Sequence, residues 1–185
     1  MTDIVFDAEF LDDGKTIDLI SIGMINRSTG AELYLVNADA DWDRIANRRW
    51  LAENVVIHLP LVGEITKFPH HECWKFEIDR QDRRVLPKAA IAEQVAAFVL
   101  AAPRPRLCAW YASYDMVALN QLWGAMVDKP AGIPWWCWDF KQACAKFGIE
   151  DDHLPAQSEG LHDALADART LLARIEWAEG QVSDL

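Results

Sequence analysis

Along the chain, stretches in which apolar residues alternate or run together give way to stretches in which they recur every three to four positions, the signatures of strand and helix. Ile4–Phe10 (IVFDAEF), Thr16–Ile25 (TIDLISIGMI) and Ala31–Val36 (AELYLV) read as three strands. Short segments holding Gly14 and Gly30 separate them, which predicts an antiparallel meander. Asp41–Asn54 is predicted to be helical, and Leu59–Lys88, with prolines at 60, 69 and 87, irregular. Ala89–Ala101 has helical composition and stops at Pro103-Arg104-Pro105. Leu107–Tyr111 (LCAWY) is an apolar run of buried-strand type. Ser113 is placed to cap a helix running to about Trp123, with Gly124 near its end. Trp135–Trp138 reads as a fifth strand and Asp139–Phe147 as a helix. A last helix spans about Leu161–Ala178, with Leu165, Ala168, Leu172 and Ile175 on one face.

The resulting order, three strands and then alternating helices and strands, predicts an α/β fold with helices packed on a mixed sheet. No repeat, low-complexity tract or long linker divides the 185 residues, so a single domain over 1–185 is expected. No stretch approaches the roughly 18 to 20 uncharged apolar residues of a membrane span. The start, Met1-Thr2-Asp3-Ile4, has an acid where a signal peptide needs a base, and a cytoplasmic protein is expected. The four cysteines (Cys73, Cys108, Cys137 and Cys144) include no CxxC pair, which argues against a disulfide framework. His70, His71 and Cys73 lack the second ligand pair a zinc site would need, and an exposed loop is the simpler reading.

The net charge of −11 excludes a protein that wraps nucleic acid by bulk electrostatics. The charge is uneven: Arg44 to Lys88 holds nine Lys or Arg against six Asp or Glu, so the rest of the chain carries −14. A carboxylate cluster neutral only with its metals would contribute part of that excess, and an ordinary acidic surface accounts for most of it.

Three segments carry candidate chemistry. In Phe6-Asp7-Ala8-Glu9-Phe10, Asp7 and Glu9 project from the same side of a strand. They repel unless a positive charge lies between them, and a hard divalent cation would supply it; an exposed strand face would carry such a pair equally well. Asp115 follows LCAWY at the carboxyl end of a strand, where α/β folds build their sites and where helix-start acids are also common. In Gly160-Leu161-His162-Asp163-Ala164-Leu165-Ala166-Asp167, Asp163 and Asp167 share a helical face. His162 lies at that helix's entrance. An imidazole of ordinary pKa takes a proton from water near neutral pH.

Together the segments resemble the DEDD superfamily of 3′–5′ exonucleases, in the subgroup with a histidine four intervening residues before the last aspartate. Asp7-Ala8-Glu9, Tyr114-Asp115 and His162–Asp167 match its three motifs in order. The tyrosine subgroup is excluded, because the residue it would place as tyrosine is Asp163. FDAEFLDDG, TIDLISIG, the Tyr114-to-Gly124 segment and HDAL are similar to a small mycobacterial-type 3′–5′ exoribonuclease family related to ribonuclease T.

The resemblance implies a ribonuclease H-like βββαβαβα fold with a five-stranded mixed sheet. It implies two divalent cations, Mg²⁺ or Mn²⁺: Asp7 bridging both, Glu9 and Asp167 completing one site, Asp115 holding the other. His162 would act as general base, nucleoside 5′-monophosphates would be released from the 3′ end of single-stranded or overhanging RNA, and a homodimer would be the assembly. Phe10 stands where many relatives have Thr, and Trp110-Tyr111 where many have His-Asn, so the metal site carries over and the grip on the terminal nucleotide does not.

Phe10 or Leu11 is the candidate packing surface for the terminal base, and Phe10 fits a core position equally well. Trp110, Trp123, Trp135, Trp136, Trp138 and Trp177 read as core or interface, and Arg48, Arg49, Arg80, Arg83 and Arg84 as the residues that steer RNA. Asp39–Asp43 begins like an EF-hand loop but fails at Arg44 and Trp50, where Gly and Glu are required. A DNA exonuclease and a non-catalytic binding module on the same scaffold are the competing readings; the first differs only in contacts to the 2′-hydroxyl, and the second would be expected to lose carboxylates that are all present here.

Overall fold

The computed structural model describes residues 1–67 and 73–182. The expected meander is formed by β1 (Thr2–Asp12), β2 (Ile17–Asn26) and β3 (Ala31–Asn37). Two short helices follow, α1 (Trp42–Ala46) and α2 (Arg49–Asn54), then three two-residue strands, β4 (Thr66–Lys67), β5 (Trp74–Lys75) and β6 (Val85–Leu86). The remainder is α3 (Lys88–Leu100), β7 (Pro105–Ala109), α4 (Ala112–Asn120), β8 (Cys137–Asp139), α5 (Phe140–Phe147) and α6 (Ala164–Gln181). The main sheet runs β6-β3-β2-β1-β7-β8. β1, β2 and β3 pair antiparallel, whereas β7, β8 and β6 join in parallel.

The five expected strands are present, and β6 adds a sixth on the edge of β3 from within the segment expected to be irregular. The helix expected over Asp41–Asn54 is broken at Asn47-Arg48. There Asn47 caps α1 through its own N–H to the Asp43 and Ile45 carbonyls, and its side-chain amide also donates to Asp43 O at 2.8 Å. The last helix begins at Ala164, three residues later than expected, because Asp163 caps it by accepting from the Leu165 and Ala166 N–H groups. α4 begins at Ala112, so Ser113 lies inside it and is not its cap.

Strand parity sorts the core. Ile4, Phe6 and Ala8 of β1 face α3 and α4, packing with Ile91, Val95, Val99 and Leu119. Val5 and Leu11 face the other way into two separate clusters. Val5 joins Cys108, Phe140, Leu171 and Ile175 beneath α5 and α6, while Leu11 joins Ile20, Ile45, Leu51 and Val55 beneath α1 and α2. Asp7 and Glu9 therefore open into the gap between two apolar clusters. Slipping the strand by one residue would exchange those acids for Phe6 and Ala8, so burial of the apolar face locks the register.

A bulge on β2 adjusts the same region. Pairing passes from Glu9↔Ser21 to Phe10↔Leu19, leaving Ile20 without a partner. Ile22 and Leu19 consequently share one face although they differ in parity, and Ile20 turns to join Leu11.

Candidate active site

Four acids from three elements converge at the carboxyl ends of β1 and β7. Glu9 and Asp115 are buried, at 8% and 5% exposure, and Asp7 and Asp167 are half-buried. Asp115 is fixed by a vacancy in the sheet. Pairing of β1 with β7 ends at Val5↔Cys108, so the Ala8 N–H beyond it has no strand partner on that side. Asp115 Oδ1 accepts that N–H at 3.0 Å, which ties the first turn of α4 to the strand that carries Asp7 and Glu9.

α6 supplies the rest. Gly23 of β2 is the cross-strand partner of Asp7. A Cβ at Gly23 would sit 2.5 Å from the Ala164 carbonyl group and closer still to the Leu165 N–H. Only glycine lets α6 lay its first turn directly on the sheet beside Asp7. Asp167, one turn in, accepts from Gln157 Nε2 and, at 3.1 Å, from the His162 backbone N–H. His162 itself has φ of +67°, a left-handed conformation rare for residues other than glycine, and Tyr111 across the cleft has φ of +51°. That conformation, held by the bond to Asp167, turns the imidazole back over the acids. Ligand atoms of Glu9, His162 and Asp167 lie within 4.8 Å of one another.

The electrostatics are those of a site lacking its counter-charge. Burial, followed by repulsion from Asp115, Glu9, Asp167 and Asp163, holds the Asp7 carboxyl well above its ordinary range. Burial and then Asp167 push Glu9 to about 8. Burial raises Asp115 to about 7 even though the Ala8 N–H opposes it. Asp167 is raised by burial against the opposing bonds from Gln157 and His162. The same strand shows the alternative at its other end: Asp3, as deeply buried, is bracketed by Arg106 at 2.7 Å and Arg27 at 3.4 Å. Among the described residues, no ion pair reaches Asp7, Glu9, Asp115 or Asp167. Four oxygen donors without a cation suit hard divalent ions, so this donor set fits Mg²⁺ or Mn²⁺.

The cleft above the acids has a volume of about 320 Å³ and is walled by aromatic side chains. Phe10 and Tyr114 stack with ring centroids 6.0 Å apart. Trp50, 54% exposed on α2, meets the His162 ring edge-on at 4.7 Å. Phe10 lines the cleft and also packs against the α3/α4 cluster. Leu11 does not line it: at 1% exposure it is a core side chain packed with Ile20 and Ile45, covered by α1 and α2 further along the face that carries Asp7 and Glu9. Trp50, Tyr111 and Tyr114 line the cleft without having been singled out as contacts. Trp50 comes from a helix that begins 37 residues after the end of β1, and local pattern holds no trace of that approach. Gly23 did carry a signal, as a glycine inside a strand pattern.

Of the other expectations, Trp110, Trp138 and Trp177 pack against the α5/α6 cluster and Trp123 against the α3/α4 cluster, but Trp135 and Trp136 are more than half exposed. Three of the candidate steering arginines are engaged within the protein: Arg49 with Glu53, Arg84 with Asp82, and Arg80 with the Ala38 carbonyl. Cys73 is a free thiol. His70 and His71 lie outside the described residues.

No family model matches the chain. Among curated proteins it is similar to a 3′–5′ exoribonuclease of Mycobacterium tuberculosis, in strains CDC 1551 and H37Rv. Identity is 32% over 169 residues, covering 91% of this chain and 88% of the relative. The chain belongs to this DEDDh 3′–5′ exonuclease family. Its fold is shared with Escherichia coli ExoI, solved in a zinc-bound form with single-stranded DNA, at a TM-score of 0.66 and 13% identity. That superposition covers 99% of this exonuclease and 41% of the longer ExoI chain.

Proposed function

We propose that this 3′–5′ exonuclease acts on RNA, removing nucleoside 5′-monophosphates from a single-stranded or overhanging 3′ end with two Mg²⁺ or Mn²⁺ ions. The observation that carries the reading is the convergence of Asp7, Glu9, Asp115 and Asp167 beneath His162 with no protein cation among them. In this reading Asp7, Glu9, Asp115 and Asp167 would hold the ions. When bound, the ions supply the positive charge that neutralises the acids and the charge developing on the phosphoryl oxygens. Glu9 and Asp115 must lose their protons for this to happen.

His162 accepts a proton from the attacking water, whose oxygen bonds to the terminal phosphorus as the bond to the 3′ oxygen breaks. Asp167 fixes the histidine backbone through its N–H, and Trp50 limits the ring's swing. Phe10 and Tyr114 form the wall against which the terminal base packs, a contact available to any base. RNA is favoured by the relatives' activity on that polymer. No helix among the described residues is long and apolar enough to cross a membrane. A cytoplasmic, homodimeric enzyme completes the reading, and sedimentation of the purified chain tests the dimer.

The deciding experiment follows products from a 3′-overhang RNA and the matched DNA with Mg²⁺ or Mn²⁺, for wild type and Asp7→Asn. Stepwise 5′-monophosphate release from RNA that requires both metal and Asp7 is expected. Equal or faster release from DNA would transfer the assignment to a DNA exonuclease. Absence of turnover on both by folded, metal-loaded protein would leave a binding module.

A further inference from the structure

Two further clefts adjoin the cleft over the acids. Tyr111 and Tyr114 wall both it and a second cleft of about 460 Å³, which also holds Lys141. Ser113, Asp139 and Gln142 are shared between that second cleft and a third of about 640 Å³, floored by Trp135, Trp136 and Lys146. The three form one path around the first turn of α4 and along α5. Four of its aromatic side chains are more than half exposed: Tyr111 at 57%, Tyr114 at 53%, Trp135 at 59% and Trp136 at 55%.

Resting on the exonuclease reading above, we infer that this path is a binding track for the single strand upstream of the scissile phosphate. Nucleotides preceding the 3′ end pass over Tyr111 and Tyr114 and stack in the cleft of Trp135 and Trp136, with a phosphate near Lys146.

Three observations favour a nucleic acid strand over any other occupant. The path starts at the catalytic cleft and shares its walls, as an entering strand requires. Exposed aromatic rings spaced along a groove are the sequence-tolerant means of holding unpaired bases. The path is also less acidic than the rest of the chain. On a chain of net charge −11, the second and third clefts are lined by two lysines and, among the described residues, a single carboxylate, Asp139; Lys141 is ion-paired with Asp151, which leaves Lys146 open to a phosphate. The Asp139 carboxylate is turned inward, accepting the Ala112 N–H at 3.0 Å and the Gln142 N–H at 2.9 Å, so it is held at the helix starts and away from the strand. Trp135 is also braced from behind: the Lys129 ammonium sits 4.3 Å from its ring centroid and is itself held by the Pro134 carbonyl at 2.7 Å. A ring held in this way keeps its outer face available at little entropic cost.

The track predicts that affinity grows with substrate length. The test compares kcat/KM on a dinucleotide with kcat/KM on an unstructured single strand of about 12 nucleotides, long enough to fill such a site. Wild type is expected to favour the longer strand through a lower KM. In Trp135→Ala/Trp136→Ala, the ratio of the two kcat/KM values is expected to fall about tenfold, from loss of stacking. In Lys146→Glu the ratio should fall as well, with a weaker salt dependence on the long strand. A ratio that stays at the wild-type value in both variants would overturn the track. So would an equal loss on both substrates accompanied by a drop in sedimenting mass, which would assign the aromatics to contact with a second copy of the chain. Failure of the exonuclease reading would look different, as no turnover of either substrate by wild type.

Discussion

At the scale of single residues, β1 carries two solutions to burying an acid. Asp3 is neutralised by Arg27 and Arg106, whereas Asp7 and Glu9 are surrounded by further acids. The second arrangement lowers stability in the metal-free protein, and the sign follows from linkage. Glu9 has a folded-state value of about 8 against an ordinary 4.5, so its contribution to stability is fully present below pH 4.5 and is lost as pH rises through 8. Asp115, raised to about 7, acts in the same direction over a slightly lower range. Metal-free wild type is therefore expected to unfold at progressively lower temperature from pH 5 to pH 8.5. Glu9→Gln should flatten that decline, be the more stable protein at pH 8.5 by a few kcal/mol, and have no measurable nuclease activity. Thermal melts in EDTA across this range provide the check; a Glu9→Gln curve parallel to wild type would show that the acid is not strained.

At the scale of elements, the site depends on one helix lying unusually close to one strand. Gly23 leaves no room for a side chain beneath the Ala164–Leu165 backbone. Gly23→Ala must push the first turn of α6 away from β2, carrying His162 and Asp167 with it. Overpacking of this kind costs about 1–3 kcal/mol. A displacement of about 1 Å at a catalytic group can cost roughly 100-fold in rate. The variant is expected to remain folded, with a lower melting temperature and a kcat reduced about 100-fold. Retention of full kcat would show that the close approach serves packing alone. The left-handed backbones of Tyr111 and His162 belong to the same scale, since each sits at the entrance of a helix and each aims a ring at the cleft.

At the scale of the whole molecule, divalent ions bound as proposed would offset the charge of −11 and the unpaired acids, and would therefore stabilise the fold as well as supply chemistry. Binding must displace the protons retained by Glu9 and Asp115. Apparent Mg²⁺ or Mn²⁺ affinity is expected to rise by about tenfold or more from pH 6 to pH 8, with at least one proton released per protein. Calorimetry in two buffers of different ionisation enthalpy measures that release directly. A pH-independent affinity with no proton release would mean that the acids are already ionised in the free protein.

The order of long strands and helices, the shared side of Asp7 and Glu9, the strand-end position of Asp115 and the pairing of His162 with Asp167 were all legible in the sequence. Each rests on a local period or a short spacing, which the backbone converts into direction without help from distant residues. The β6 edge strand and the bulge at Ile20 were not legible, because each is set by what pairs across it, while the break between α1 and α2 is a local cap at Asn47 that the helical pattern over 41–54 concealed. Leu11 shows the limit most plainly. Its neighbour Phe10 reaches the cleft, while Leu11 is drawn under α1 and α2 by a cluster assembled from four separate segments. Likewise, that Trp50 meets His162, that glycine is required at position 23, and that Trp135 and Trp136 stay exposed were decided only by tertiary packing. Side-chain type and spacing determine which chemistry is available, but burial and contact between residues far apart in sequence determine which side chains are left facing the substrate.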